Sequence, residues 1–214
     1  MTQNKDILEK LEDKENMPED FVDYVLANRN LINVMLEGIS SSQARVRFGS
    51  AKILRIVSEK NPEAIYPHMD FFIDLLDSEN NILRWIALDV IASLTSVDNK
   101  NKFDDIFQRY YDFLSDESMV TAAHVIDNSG KIACAKPYLK NEVTNNLLRV
   151  ENIPRNKECR NILLGKAILS FEKYFDQIED KKKIITFVER QKSNPRNATK
   201  KKAEKFLAKV NSKV

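Results

Sequence analysis

Arg45-Val46-Arg47-Phe48-Gly49-Ser50-Ala51-Lys52-Ile53-Leu54 and Ile82-Leu83-Arg84-Trp85-Ile86-Ala87-Leu88-Asp89-Val90-Ile91 read as one pattern written twice, 37 residues apart. Val46 meets Leu83, Arg47 meets Arg84 and Phe48 meets Trp85; further on, Ile53 meets Val90, Leu54 meets Ile91 and Val57 meets Leu94. A further step of 37 brings Leu83 to Val120 and Leu88 to Val125. Around Asn128, Ser129 and Gly130 the register blurs, which predicts a bend or looser packing there.

The segments between these copies repeat as well. Ile65, Met69, Phe72, Ile73 and Leu76 have the spacing of one helical face. Phe103, Phe107, Tyr110, Tyr111 and Leu114 copy that spacing 38 residues on. Leu139, Val143, Leu147 and Val150 copy most of it 36 residues later, with Asn146 at a core position. Two helical faces that recur at one period define a chain of helix pairs.

The punctuation agrees. Pro62, Pro137 and Pro195 stand where first helical turns begin, and a missing N–H costs nothing there. Asp77-Ser78-Glu79-Asn80-Asn81 and Ser115-Asp116-Glu117-Ser118 are short connectors rich in helix N-caps. Four glycines and six prolines in 214 residues are too few for strands and hairpins.

The expected pairs are 43–59 with 62–77, 81–95 with 100–114, 117–134 with 137–150 and 156–174 with 178–192. An initial pair covers 18–28 and 30–39, and a helix at 195–211 caps the end. Residues 1–16 form a polar N-terminal segment, helical without needing to dock, and 17–214 form a single domain. One pair cannot bury its own apolar face, whereas stacked neighbours bury a shared core.

These residues resemble the HEAT-repeat family of armadillo-like helical proteins. Asp77 followed by Leu83-Arg84 fits its pattern of an Asp ending one second helix and a Val-Arg pair opening the next first helix. Val46-Arg47 fits the second half, and Val120-Thr121 departs by replacing the arginine with threonine. The likeness covers residues 40–155; the flanks follow only the helical pattern. The resemblance implies an all-α, right-handed α-α superhelix (a solenoid) of about five helix pairs plus the C-terminal capping helix. It also implies a structural ladder for Arg47, Asp77 and Arg84.

Composition narrows the function. With 43% hydrophobic and 31% charged residues, the profile is that of an ordinary soluble globular chain. Cys134 and Cys159 make no disulfide framework or metal pattern and read as packing residues. Neither a secretory-type apolar stretch nor a long apolar run is present, so the expected setting is cytoplasmic and away from membranes.

An enzyme is not expected. His68 and His124 fall in different repeats, and no phosphate-binding loop, nucleophile elbow or His-Glu-x-x-His pair occurs. No cofactor or metal is implied. Trp85 and Asp89, four residues apart, invite comparison with the HEAT-like DNA glycosylases, which use aromatics and a catalytic aspartate. In the repeat register, however, Trp85 replaces Phe48 and reads as core.

Two surfaces remain. Opposite the core positions, the second helices show Asp70, Phe71 and Asp74, then Asp105, Gln108, Arg109 and Asp112, then Asn141, Asn145 and Leu148. In solenoids second helices line the concave side, so this strip is the expected site for a protein partner, with Phe71 and Leu148 as apolar anchors. The other surface is basic: residues 181–214 hold twelve Lys+Arg against Glu189 and Glu204, a local +10, which leaves −8 on residues 1–180. Lys181, Lys182, Lys183, Arg196, Lys200, Lys201 and Lys202 are the alternative site, for nucleic-acid phosphates. The expectation is therefore a non-enzymatic protein-binding scaffold, with nucleic-acid binding as its alternative.

Overall fold

Helices run through the computed structural model, which describes residues 2–212 and the side chains of residues 7–212. Among the described residues every regular element is helical. The chain divides into two compact units, 1–103 and 104–214.

In the first unit, α1 (Thr2–Glu12), α2 (Val22–Ala27) and α3 (Asn30–Gly38) precede the long α4 (Ala44–Lys60). The polar N-terminal segment is docked, because Ile7 and Leu11 are buried where α1 packs on α3 and α4. Arg45 holds the segment after α1 by donating from Nε to Asp13 O at 2.9 Å and from Nη2 to Asn16 O at 2.6 Å. Val46, Ile53, Leu54 and Val57 of α4 are buried, and α4 packs on α3 and on α7 (Asn81–Leu94).

The expected second helix at 62–77 is interrupted. It comprises α5 (Pro62–Ile65), a 3-10 turn over Tyr66–His68 and α6 (Met69–Leu75). Pro67 lies inside the run and has no N–H to give the α-ladder, which accounts for the break. Ile65, Met69, Phe72 and Leu76 still face inward and are buried. Asn80 caps α7 by accepting from Ile82 N at 3.0 Å. Beyond α7, buried Asp98 accepts from Lys102 N at 3.0 Å, Phe103 N at 2.9 Å and the Tyr66 hydroxyl at 2.8 Å, which fixes the start of α8 (Lys102–Asp112).

The second unit carries α9 (Met119–Ala135), α10 (Lys140–Leu148), α11 (Lys157–Glu172), α12 (Lys181–Arg190) and α13 (Asn197–Asn211). Neighbouring first helices pack in sequence, α9 on α11 and α11 on α13, while α10 packs on α9, α11 and α12. Val143 and Leu147 of α10, Phe171 of α11 and Phe187 of α12 are buried, and the two phenylalanine rings meet edge to face at 5.5 Å. Asn146, the polar residue at a core position, is satisfied locally. Its Nδ2 donates to Glu142 O at 3.0 Å and its Oδ1 accepts from Arg149 Nη1 at 2.8 Å.

The segment where the repeat register blurs is packed tightly, contrary to the looser packing its sequence suggests. Asn128, Ser129 and Gly130 are all buried. Tyr111 donates to Ser129 Oγ at 3.1 Å, and Ser129 donates to Val125 O at 2.8 Å. A Cβ on Gly130 would lie 2.8 Å from the Ser170 carbonyl oxygen, so small residues replace branched ones here to let α9 and α11 approach.

Candidate partner-binding groove

The arginines of the expected ladder act on the loops that precede their own helices. Arg47 donates from Nη1 to Ser41 O and Arg84 from Nη2 to Ser78 O, both at 2.8 Å and both six residues back. Asp77 is exposed in the same loop as Ser78. In the second unit Thr121 has no guanidinium to do this, and Arg155 does it from another loop. Its Nη2 donates to Asp116 O at 2.6 Å and to Leu114 O at 3.1 Å. Arg160 then donates to Arg155 O at 3.0 Å. These clasps hold the connectors through which each second helix leads into the next first helix.

The strip residues fall in both units. In the first, Asp70 and Asp74 are exposed on α6, and Asp70 is engaged by Lys102 Nζ at 2.7 Å. Phe71 is half-buried with its ring edge-to-face against Phe72 at 5.4 Å. In the second, Asp105, Gln108 and Asp112 are exposed on α8, and Gln108 donates to Asp112 Oδ1 at 2.6 Å. Arg109 is half-buried. On α10, Asn141 and Asn145 are exposed and Leu148 is half-buried.

The α10 part of the strip opens into a concavity. Asn145, Leu148 and Arg149 face Lys182, Lys183 and Thr186 of α12 across a groove of about 550 Å3. That volume lies within the usual range for ligand clefts. The groove has four cations and two acids among its lining residues. Glu151 is taken by Arg190, whose Nη2 donates to Oε2 at 2.6 Å, and by Gln191 Nε2 at 2.8 Å. The carboxylate beside the Arg190 guanidinium pushes its pKa further up. Asp180 lies 3.8 Å from Lys183. Arg149 and Lys182 are exposed and make no ion pair among the described residues, so the groove keeps a positive surplus beside an apolar Leu148.

The C-terminal cations do not form one free face. Arg196 is paired with Glu158, Lys209 with Glu172 at 2.9 Å, and Lys200 lies 3.9 Å from Glu204. Lys181 sits over the Phe175 ring at 5.5 Å. Lys201 is exposed, whereas Lys202 is half-buried with its pKa lowered by desolvation and by the nearby Lys166 and Arg196. Of this set, Lys182 and Lys183 line the groove.

The remaining sequence candidates are placed apart. His68 is half-buried, which lowers its pKa, and His124 is half-buried on α9. Trp85 and Asp89 are half-buried on α7 rather than fully in the core. Cys134 is a correction to the packing role expected of it: it is exposed, with Sγ 3.6 Å from Lys173 O, because it lies in the last turn of α9, just beyond the end of α11. Cys159 is half-buried. Among the described residues no three His, Cys, Asp or Glu side chains gather as a metal site, and no helix is long and apolar enough to cross a membrane.

The groove residues Arg149 and Thr186 were not singled out from the sequence. The signal available was the period: Leu148-Arg149 and the Lys182–Thr186 turn lie about one repeat apart.

No protein-family model matches this chain, and no curated protein matches it. Among solved structures, it is similar to the crystal structure of an engineered protein, a Northeast Structural Genomics Consortium target. The identity is 13% and the TM-score 0.57, with 99% of this chain and 91% of that chain covered. At that identity the likeness is one of fold alone.

Proposed function

We propose that this chain is a non-enzymatic, HEAT-type scaffold that binds a protein partner through the outward faces of its second helices. The observation that carries this reading is the mixed surface on those faces. Asp74, Asp105, Asn141 and Asn145 stand exposed beside half-buried Phe71 and Leu148, while the opposite sides of the same helices are buried. Partly covered hydrophobes among polar groups are what interface anchors look like before a partner arrives. The free thiols Cys134 and Cys159, the first of them exposed, fit a reducing, cytoplasmic setting.

The test is charge change on the exposed positions of both units. The full chain carrying Asp74→Lys, Asp105→Lys and Asn141→Asp is compared with the unchanged chain as bait for the same proteins. Helix content should persist and partner retention should fall at least about tenfold. Equal retention by both baits would contradict the reading.

A further inference from the structure

We infer that the α10–α12 groove accepts an acidic segment of a partner protein, with Arg149 and Lys182 taking carboxylates and Leu148 receiving an apolar side chain. This deepens the reading of the second-helix faces as protein-binding and rests on it. Charge complementarity carries it.

Of the four groove cations, Arg190 is spent on Glu151 and Lys183 faces Asp180. Lys182 has no ion pair among the described residues, and Arg149 spends only Nη1, on Asn146. A guanidinium presents five N–H donors in a planar fork, so Arg149 keeps donors for a carboxylate held side-on. The amides of Asn145 and Asn152, both exposed in the groove, and the Thr186 hydroxyl supply donors and acceptors for a backbone. Successive side chains of an extended segment point to opposite sides, so a carboxylate that meets Lys182 on one wall has its two neighbours directed to Leu148 and Arg149 on the other.

A nucleic acid fits this groove less well. None of its described lining residues is aromatic, so bases find no stacking platform. The unspent charge is that of Arg149 and Lys182, whereas phosphate backbones are held by long runs of cations.

Fluorescence anisotropy on the full chain tests the assignment. Three labelled probes are compared: a dodecapeptide of Asp, Glu and Leu, its counterpart with Lys in place of the acids, and a single-stranded oligothymidylate. The acidic peptide should bind tightest, and Lys182→Glu should weaken it at least about tenfold. Lys205→Glu, the same charge change at an exposed position of α13 outside the groove, should leave its affinity within about twofold. Leu148→Ser should weaken it as well, and circular dichroism should report an intact fold for each variant.

Equal or tighter binding of the Lys peptide or of oligothymidylate overturns the proposal, as does the absence of binding by any probe. Binding of the acidic peptide that is indifferent to Lys182→Glu overturns it too. The bait experiment above does not touch Arg149, Lys182 or Leu148. Failure here with partner loss there removes the groove assignment alone; unchanged retention there removes the broader reading.

Discussion

Arg47 and Arg84 hold the loops ahead of α4 and α7 through carbonyls at Ser41 and Ser78, and the loop ahead of α9 is held by Arg155 instead. The clasp keeps its place in space while its residue moves in the chain. Bonds from a charged donor to half-buried carbonyls are stronger than neutral ones, so Arg155→Ala should lower stability by about 2 kcal/mol in urea unfolding. A loss within about 0.5 kcal/mol, as for an ordinary surface change, would contradict the role. The missing arginine at Thr121 is visible in the sequence. Its replacement, Arg155, stands 39 residues after Asp116, about one repeat on, so the period points to the neighbouring loop, but the choice of Arg155 over other residues there depends on how the two loops pack.

Tyr111 and Tyr174 make a second residue-scale case. Both are buried, with hydroxyls on Ser129 and Thr144, and burial pushes both pKa values well above the ordinary tyrosine range. A folded pKa above the unfolded one favours the fold fully below the unfolded value, and this contribution is lost as pH rises beyond it. Stability should therefore decline above about pH 10. The Tyr111→Phe, Tyr174→Phe double variant should decline less steeply, as measured by thermal melts across that range. Parallel pH profiles for the two chains would contradict this.

At the scale of elements, the helices follow the apolar period closely. Val46, Ile53, Leu54 and Val57 are buried together on α4, as are their counterparts Leu83, Val90, Ile91 and Leu94 on α7. The breaks follow backbone chemistry that periodicity does not carry. Pro67 turns one expected helix into α5, a 3-10 turn and α6. Gly130 shows the converse: a blurred apolar register marks a close approach of α9 and α11, since small side chains look alike whether they loosen a contact or tighten it. Gly130→Ala should destabilise the chain by about 1–3 kcal/mol despite alanine's better helix propensity, because its Cβ would meet the Ser170 carbonyl oxygen at 2.8 Å. Gly49→Ala, whose nearest contact would be the flexible end of Leu11 at 3.3 Å, should be much milder. Equal melting temperatures for the two variants would contradict the tight approach.

For the molecule as a whole, part of the basic surplus of residues 181–214 is paired with acids that lie one repeat earlier in the second unit. Arg196 meets Glu158, Arg190 meets Glu151 and Lys209 meets Glu172, pairs separated by 38, 39 and 37 residues. That separation is the repeat period itself, so the pairing was legible in principle once the period was known. The candidate site was legible in part. Asn145 and Leu148 come from the apolar pattern of α10, whereas their meeting with Lys182 depends on how α10 and α12 pack.

The central claim, that partners bind the second-helix faces, is tested most directly by site-specific photo-crosslinking of the full chain. A benzophenone amino acid is placed at Asn145 on α10 or, for reference, at Leu169, which is 42% exposed on the first helix α11. The account predicts discrete protein adducts from position 145 that an excess of unlabelled chain suppresses, and none from position 169. Adducts from position 169 with none from position 145 would contradict it.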